Sequence, residues 1–164
     1  MIDGGRMDEE YMQYRIDQAH AYLERIRKMG DDCAALQAEV DDARVRATGV
    51  TGIDYTRDLV KSSPTDGKMA DAVSAIRDAI SDYVVKLAEF TGERSRASDA
   101  LMLMDDLTEA RVLRLRYLLD WKWEKVCTEM DYTWDGMMKL RRRALLHAYD
   151  VIPHSERDPM HPAI

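Results

Sequence analysis

Apolar residues recur at every seventh position along two long stretches of this chain. In the first, residues 8–48, one row is Met12, Ala19, Ile26, Cys33, Val40 and Ala47. Ile16 and Leu23 take the companion positions, and Leu36 and Ala43 resume them one residue out of step. In the second, residues 66–104, the main row is Met69, Ile76, Tyr83, Phe90, Ala97 and Met104. Val73, Ile80, Leu87 and Leu101 fill the alternate positions, with Arg94 as the exception. A sustained repeat of this kind marks helices that bury a narrow seam against other helices. At 1.5 Å per residue each would be on the order of 55–60 Å long. Two matched helices and one loop predict an antiparallel hairpin or coiled coil, and stripes of this width leave room for a second copy of the protein. Gly30, followed by Asp31 and Asp32, interrupts the first row. Glycine costs a helix about 1 kcal/mol relative to alanine, so a kink or break is expected there, with Asp31 capping a new segment.

Residues 49–65 lose the repeat, and Gly49, Gly52, Ser62, Ser63 and Pro64 mark a loop. Ser63, Pro64, Thr65 and Asp66 have the spacing of a capping box with proline at the first helical position. After Asp105 and Asp106 the period shortens. Residues 107–119 read as one helix with Val112, Leu115 and Leu119 on one face, and residues 123–130 as another with Val126 and Met130 inward. Asp131, Tyr132 and Thr133 form a polar turn, and Thr133 is a good N-cap for a third helix. On that helix Met137, Leu140, Ala144 and Ala148 share one face, while Asp135, Met138, Lys139 and Arg142 point the other way. Tyr149, Val151 and Ile152 are expected to pack back. Pro153, Pro159 and Pro162 make residues 153–164 an extended or disordered tail. The expected fold is all-α: a hairpin over 7–106 (helices about 8–48 and 66–104), a three-helix domain over 107–152, and the tail.

Composition supports helices: 8 Gly, 4 Pro and a single Phe leave little for turns or sheet. The net charge of -7 argues against nucleic acid, but its distribution changes the picture. Residues 107–150 carry 9 Lys+Arg against 7 Asp+Glu and are the one positive stretch. Because phosphate binding is electrostatic, an acidic remainder implies modest affinity, an oligomer, or help from a partner. No apolar run approaches the roughly 20 residues a membrane helix needs. Residues 1–6 lead into acids rather than a signal peptide, so a cytoplasmic protein without membrane attachment is expected. Cys33 and Cys127 read as buried thiols rather than a disulfide or ligand pair. His20, His147, His154 and His161 lack metal spacing, and no phosphate loop or nucleophile motif is visible. No enzyme, cofactor or metal is expected.

Two helices, a short turn and a basic third helix are the layout of a helix-turn-helix DNA reader. On this reading Lys139, Arg142 and Asp135 face bases, Asp135 by accepting from a cytosine amino group. Met138 shares that face. Arg143, Lys125, Arg114 and Lys122 take phosphates, joined by the backbone at Thr133. Trp134, opening the helix, stacks or wedges, whereas Trp123 belongs to the core. Arg141 lies nearer the buried edge and pairs with an acid. Arg116 has two readings, phosphate contact and internal salt bridge. The plainer alternative for all these cations is a solvated basic face.

The segment LRLRY, followed by WEKVCTEMDYTWDGMMKLRRRAL, resembles the fourth domain of primary bacterial sigma factors, the reader of the upstream promoter element. Leu115-Arg116-Tyr117 looks like the helix end of that pattern, Asp131-Tyr132-Thr133 like its turn, and Arg143-Ala144-Leu145 like its closing helix. Over nearly its whole length the chain is similar to the ArpU-like and RinA-like transcriptional regulators of phages and prophages, which have a long helical N-terminal half. They also have a stretch like SSPTDGKMADAV at residues 62–73. The resemblance implies a regulator that binds double-stranded DNA, with the hairpin dimerising the protein or docking it on RNA polymerase. Two departures matter. The reading helix opens Trp134-Asp135-Gly136 where the sigma pattern alternates Arg and Glu, and Lys122 stands where that pattern has a Thr cap. The bacterial promoter element is therefore not assumed as the target. Two other readings stand beside it: an adaptor that binds RNA polymerase or another phage protein without DNA contact, and DNA recognition in phage genome packaging.

Overall fold

The structure, a computed structural model, describes residues 4–50 and 65–157. It is all-helical, with no strand among the described residues. The helices are α1 (Gly4–Val50), α2 (Thr65–Leu101), α3 (Leu107–Leu113), α4 (Trp123–Met130) and α5 (Trp134–Val151). A π-helical turn, Arg114–Leu118, extends α3, and a 3-10 turn, His154–Glu156, follows α5. Of the loop expected at 49–65, Gly49 and Val50 still belong to α1 and Thr65 begins α2; residues 51–64, the capping motif at 63–66 and the last seven positions of the expected tail lie outside the described residues or side chains. No helix among the described residues is long and apolar enough to cross a membrane.

The seven-residue row of α1 is its buried row. Ala19, Leu23 and Ile26 have no exposed surface, and Ile16, Cys33 and Val40 are buried, while Met12 is 39% exposed. The break expected at Gly30 does not occur, because α1 runs unbroken through it. A Cβ at residue 30 would stand 3.1 Å from Cζ of Phe90. The glycine thus makes space for an aromatic ring, and the helix bears the propensity cost.

The chain divides into two compact units, residues 1–28 with 91–164, and residues 29–90. This differs from the boundary expected at 106/107. In the first unit the three C-terminal helices do not stand alone. Leu113, Leu145 and Ile152 are as fully buried as Val126 and Met137, so these helices have a second apolar side. Contacts along the first half of α1 cover it: Arg15 pairs with Asp150 at 2.5 Å, His20 meets Tyr117 edge-on, and Arg27 bonds Asp120 at 3.1 Å. Full burial of each such Leu or Ile contributes about 1.5–3 kcal/mol, so detaching this cover would be costly.

α2 ends at Leu101, where the backbone tightens to bonds such as Met104 N to the Leu101 carbonyl, 3.2 Å. Asp106 then caps α3, its carboxylate accepting from the amides of Thr108 (2.8 Å) and Glu109 (3.2 Å). The face expected on 107–119 holds only in part. Val112 and Leu115 are buried, but Leu119 is 47% exposed and Tyr117 and Leu118 turn inward instead. The π turn supplies the reason, since its wider winding shifts the phase of everything after it. Asp120, with φ 52°, reverses the chain into α4.

In the second unit, residues 29–50 of α1 lie beside residues 65–90 of α2. Gly30 stands against Phe90, and Ala47 shares a groove with Met69, Ala72 and Ile76. Early positions on one segment thus meet late positions on the other.

Candidate nucleic-acid interface

α4, the turn and α5 form as their residues dictate. Lys122 occupies the N-cap position of α4 in extended backbone without a side-chain cap. Asp131 closes that helix with φ 56° and ψ 49°. The amides of Tyr132 and Asp131 reach back to the carbonyls of Cys127 (3.0 Å) and Thr128 (3.4 Å), the two bonds of a Schellman cap. Glycine usually takes the left-handed position, and Asp tolerates it because its short side chain bonds locally. Thr133 is the N-cap of α5 as expected, its Oγ1 accepting from the Gly136 amide at 3.2 Å. Beneath these helices Val112, Leu115, Val126, Met137 and Leu140 make one cluster, with Trp121, Trp123, Cys127, Met130 and Met138 packed around it.

The expected site residues separate into two groups. Trp134 is 50% exposed, and Asp135 and Lys139 are exposed beside it on the first turns of α5. Lys139 makes no ion pair or hydrogen bond with any described residue. Lys122 and Lys125 are exposed on the neighbouring helix, and the Lys125 ammonium sits 3.6 Å from the Trp121 ring centroid. That stacking orients the side chain while leaving its charge at the surface. Arg114 is exposed, with Nη1 3.3 Å from the Met102 sulfur.

The second group bonds other parts of the molecule, although Arg142 and Arg143 themselves stay exposed. Arg142, expected over bases, donates to Gln13 Oε1 at 2.7 Å. Arg143, expected on phosphate, donates its Nε–H to Glu109 and lies 3.9 Å from Asp106. Glu109 keeps 1% of its surface exposed and also bonds His147 Nδ1 at 2.6 Å. The Glu109 hydrogen bond, and then its charge, raise the Arg143 pKa. Met138 is half-buried on the core cluster, not fully presented on the outer face. Arg141, expected against an acid, instead donates to the Tyr117 hydroxyl at 3.3 Å and lies over the Trp123 ring at 5.7 Å. Arg116 follows its internal reading, bonding the Trp121 carbonyl (3.1 Å) and Asp120 (3.4 Å).

Sequence reasoning missed Glu109, His147 and Gln13 as the groups that hold the C-terminal half of α5. A signal existed for Glu109: it stands three residues after the N-cap Asp106, the place of a capping-box acid. Here it turns into the core toward Arg143.

Cys33 and Cys127 are both free thiols. Among the described residues no His, Cys, Asp and Glu gather as a metal site would require. Comparisons with protein families, with curated proteins and with solved structures find no match for this chain.

Proposed function

We propose that this protein is a cytoplasmic, sequence-specific transcriptional regulator of phage or prophage genes that binds double-stranded DNA. It reads through a helix-turn-helix made of α4, the Asp131–Thr133 turn and the first turns of α5, and its long helices form an antiparallel hairpin that makes it a homo-oligomer. The observation that carries this reading is the exposed, unpaired Lys139 beside Trp134 and Asp135 at the open end of α5. In helix-turn-helix proteins the N-terminal residues of the second helix contact base edges. Lys122 and Lys125, on the adjoining helix, stand where phosphates flank such a groove. Arg142 and Arg143 drop out of the expected contact set, because their guanidiniums serve Gln13 and Glu109.

Fragments selected from host and prophage DNA, followed by gel shift, test this. Changing Lys122, Lys125 and Lys139 to Glu abolishes duplex binding at low salt while helicity is kept. Unchanged binding by that variant removes the proposal. Selection of packaging-site fragments in place of promoter fragments would move the same reader to genome packaging.

A second reading is favoured by the ion pair of Arg143 with Glu109 and by the net charge of -7. Both reduce the positive field available to phosphates. In it the protein is an adaptor that binds RNA polymerase or another phage protein without touching DNA. Co-purification of a partner that survives nuclease treatment, with no duplex binding, selects this reading.

A further inference from the structure

We infer that the outer face of α2 between residues 67 and 90 takes the same face of a second copy of this chain, running antiparallel about a two-fold axis beside Asp78 and Ala79. The inference deepens the homo-oligomer part of the reading above and does not depend on the DNA reader.

The described residues of the second unit do not close a core of their own. Cys33 and Val40 on α1 are buried, yet no side chain of α2 from 67 to 90 is. Ile76, Tyr83 and Phe90 reach only half-burial. Met69 is 50% exposed, Val73 49%, Val84 55% and Leu87 37%. Large apolar side chains contiguous on one face mark an interaction surface.

That face has an order of its own. Beside the row that meets α1 runs a second row: Ala70, Val73, Arg77, Ile80, Val84 and Leu87. Its spacing alternates three and four residues, the spacing of a coiled-coil seam, and reads the same from either end. A two-fold contact is self-complementary, with each residue meeting its counterpart in reverse. Here antiparallel pairing sets Ala70 against the partner's Leu87, Val73 against the partner's Val84, and Arg77 against the partner's Ile80. Small meets large at the ends, and branched meets branched between them. The Arg77 stem lies along Ile80 while its guanidinium reaches water. One flank of the row carries Gly67, Ser74, Ser81 and Ala88, small and uncharged, which allows close approach.

Charge selects the direction. In the antiparallel register Lys68 stands level with the partner's Glu89 and Asp71 level with the partner's Lys86, and no like charges stand level. A parallel, in-register pair would set Asp71, Asp78, Asp82, Lys86 and Glu89 each level with its own copy. This self-matching pattern is why the occupant is a second copy rather than an unrelated helix.

Sedimentation equilibrium of the full chain at micromolar concentration tests the surface. A dimer is expected, and Val73→Asp with Val84→Asp weakens it about tenfold or more without loss of helicity. Val45→Asp, at a position on α1 that is 68% exposed, leaves the dimer intact. A monomer, or a dimer that the double Asp variant does not weaken, overturns the inference. Direction is tested in a Cys33→Ala, Cys127→Ala background. Val73→Cys and Val84→Cys proteins cross-link when mixed and not when oxidised alone; self-cross-linking of each alone overturns the antiparallel register. A monomer that still binds duplex would remove this inference and leave the DNA reading, and a dimer blind to DNA would do the reverse.

Discussion

Arg143 on α5 donates its Nε–H to Glu109 on α3, an acid with 1% of its surface exposed. The two partners are not equivalent, because Arg143 is 58% exposed at the side chain. Removing Arg143 leaves a carboxylate inside the protein with only His147 beside it. Removing Glu109 leaves an Arg143 guanidinium and a His147 ring that water can solvate. Stranding the buried partner is the costly direction. Arg143→Met is therefore expected to lower the urea midpoint more than Glu109→Leu does. The double variant recovers much of the loss. Equal single losses that simply add would show the pair to be uncoupled.

Salt dependence separates surface lysines from the committed arginines. Each lost phosphate contact flattens the slope of log K against log salt by about 0.9. Lys139→Gln and Lys125→Gln should each flatten it by up to that amount while leaving the melting temperature unchanged. Arg142→Gln should leave the slope alone and loosen the α1–α5 contact at Gln13. A flattened slope for Arg142→Gln would return that residue to the DNA-contact set.

His20 lies edge-on to Tyr117 with centroids 5.8 Å apart. Burial, then the neighbouring Arg141 charge, lowers its pKa from the usual 6.5. The folded protein thus holds the ring neutral where the unfolded chain already takes up a proton. Stability from this site is complete above about pH 6.5 and declines as pH falls below it. Urea titrations near neutrality and about one unit below 6.5 should show a larger loss for the parent than for His20→Gln. Parallel losses would assign the acid sensitivity to other groups.

Two helical glycines should answer alanine differently. A Cβ at Gly92 meets nothing within 4 Å, whereas one at Gly30 meets the Phe90 ring at 3.1 Å. Gly92→Ala is expected to stabilise by about 0.5–1 kcal/mol through helix propensity and a less flexible unfolded chain. Gly30→Ala should forfeit that gain to the crowded ring. Equal shifts on thermal melting would show that Phe90 moves aside freely.

The turn before α5 offers a further check. Thr133→Ala removes the bond to the Gly136 amide and should cost about 1 kcal/mol, and Thr133→Ser should restore most of it. At Asp131, held at φ 56°, Asn and Gly should be tolerated. Val, β-branched and excluded from that region, should cost about 1–3 kcal/mol. A stable Asp131→Val protein would mean that the turn relaxes to another form.

Much of the helical layout was legible because period and caps are local. The rows through Ile26 and Leu101, the Thr133 cap and the α5 face of Met137, Leu140, Ala144 and Ala148 all follow from spacing and one capping side chain. Three things were not legible. That α1 runs unbroken through Gly30, whose missing Cβ leaves room for Phe90 sixty residues away, had no local signal, and Leu119 left its predicted face because a π turn shifts phase without a sequence mark. The fate of Arg142 and Arg143 depended on Gln13 and Glu109, which tertiary packing alone brings to them. Trp134, Asp135 and Lys139 are exposed as expected, and no distant described residue claims them. Residues 153–157 of the expected tail are held in place: Arg25 holds Glu156 at 2.9 Å, and Arg157 donates to the carbonyls of Ile152 and Asp150.

The Tyr149 ring lies between the guanidiniums of Arg15, at 4.9 Å, and Arg157, at 5.0 Å. One comes from α1 and the other from beyond α5, so a single aromatic joins two segments far apart in the sequence. Loss of Arg157, or crowding at Arg15, would therefore be felt at the other of these two segments. A shortened version of this protein designed from either end alone would lose an anchor that belongs to both.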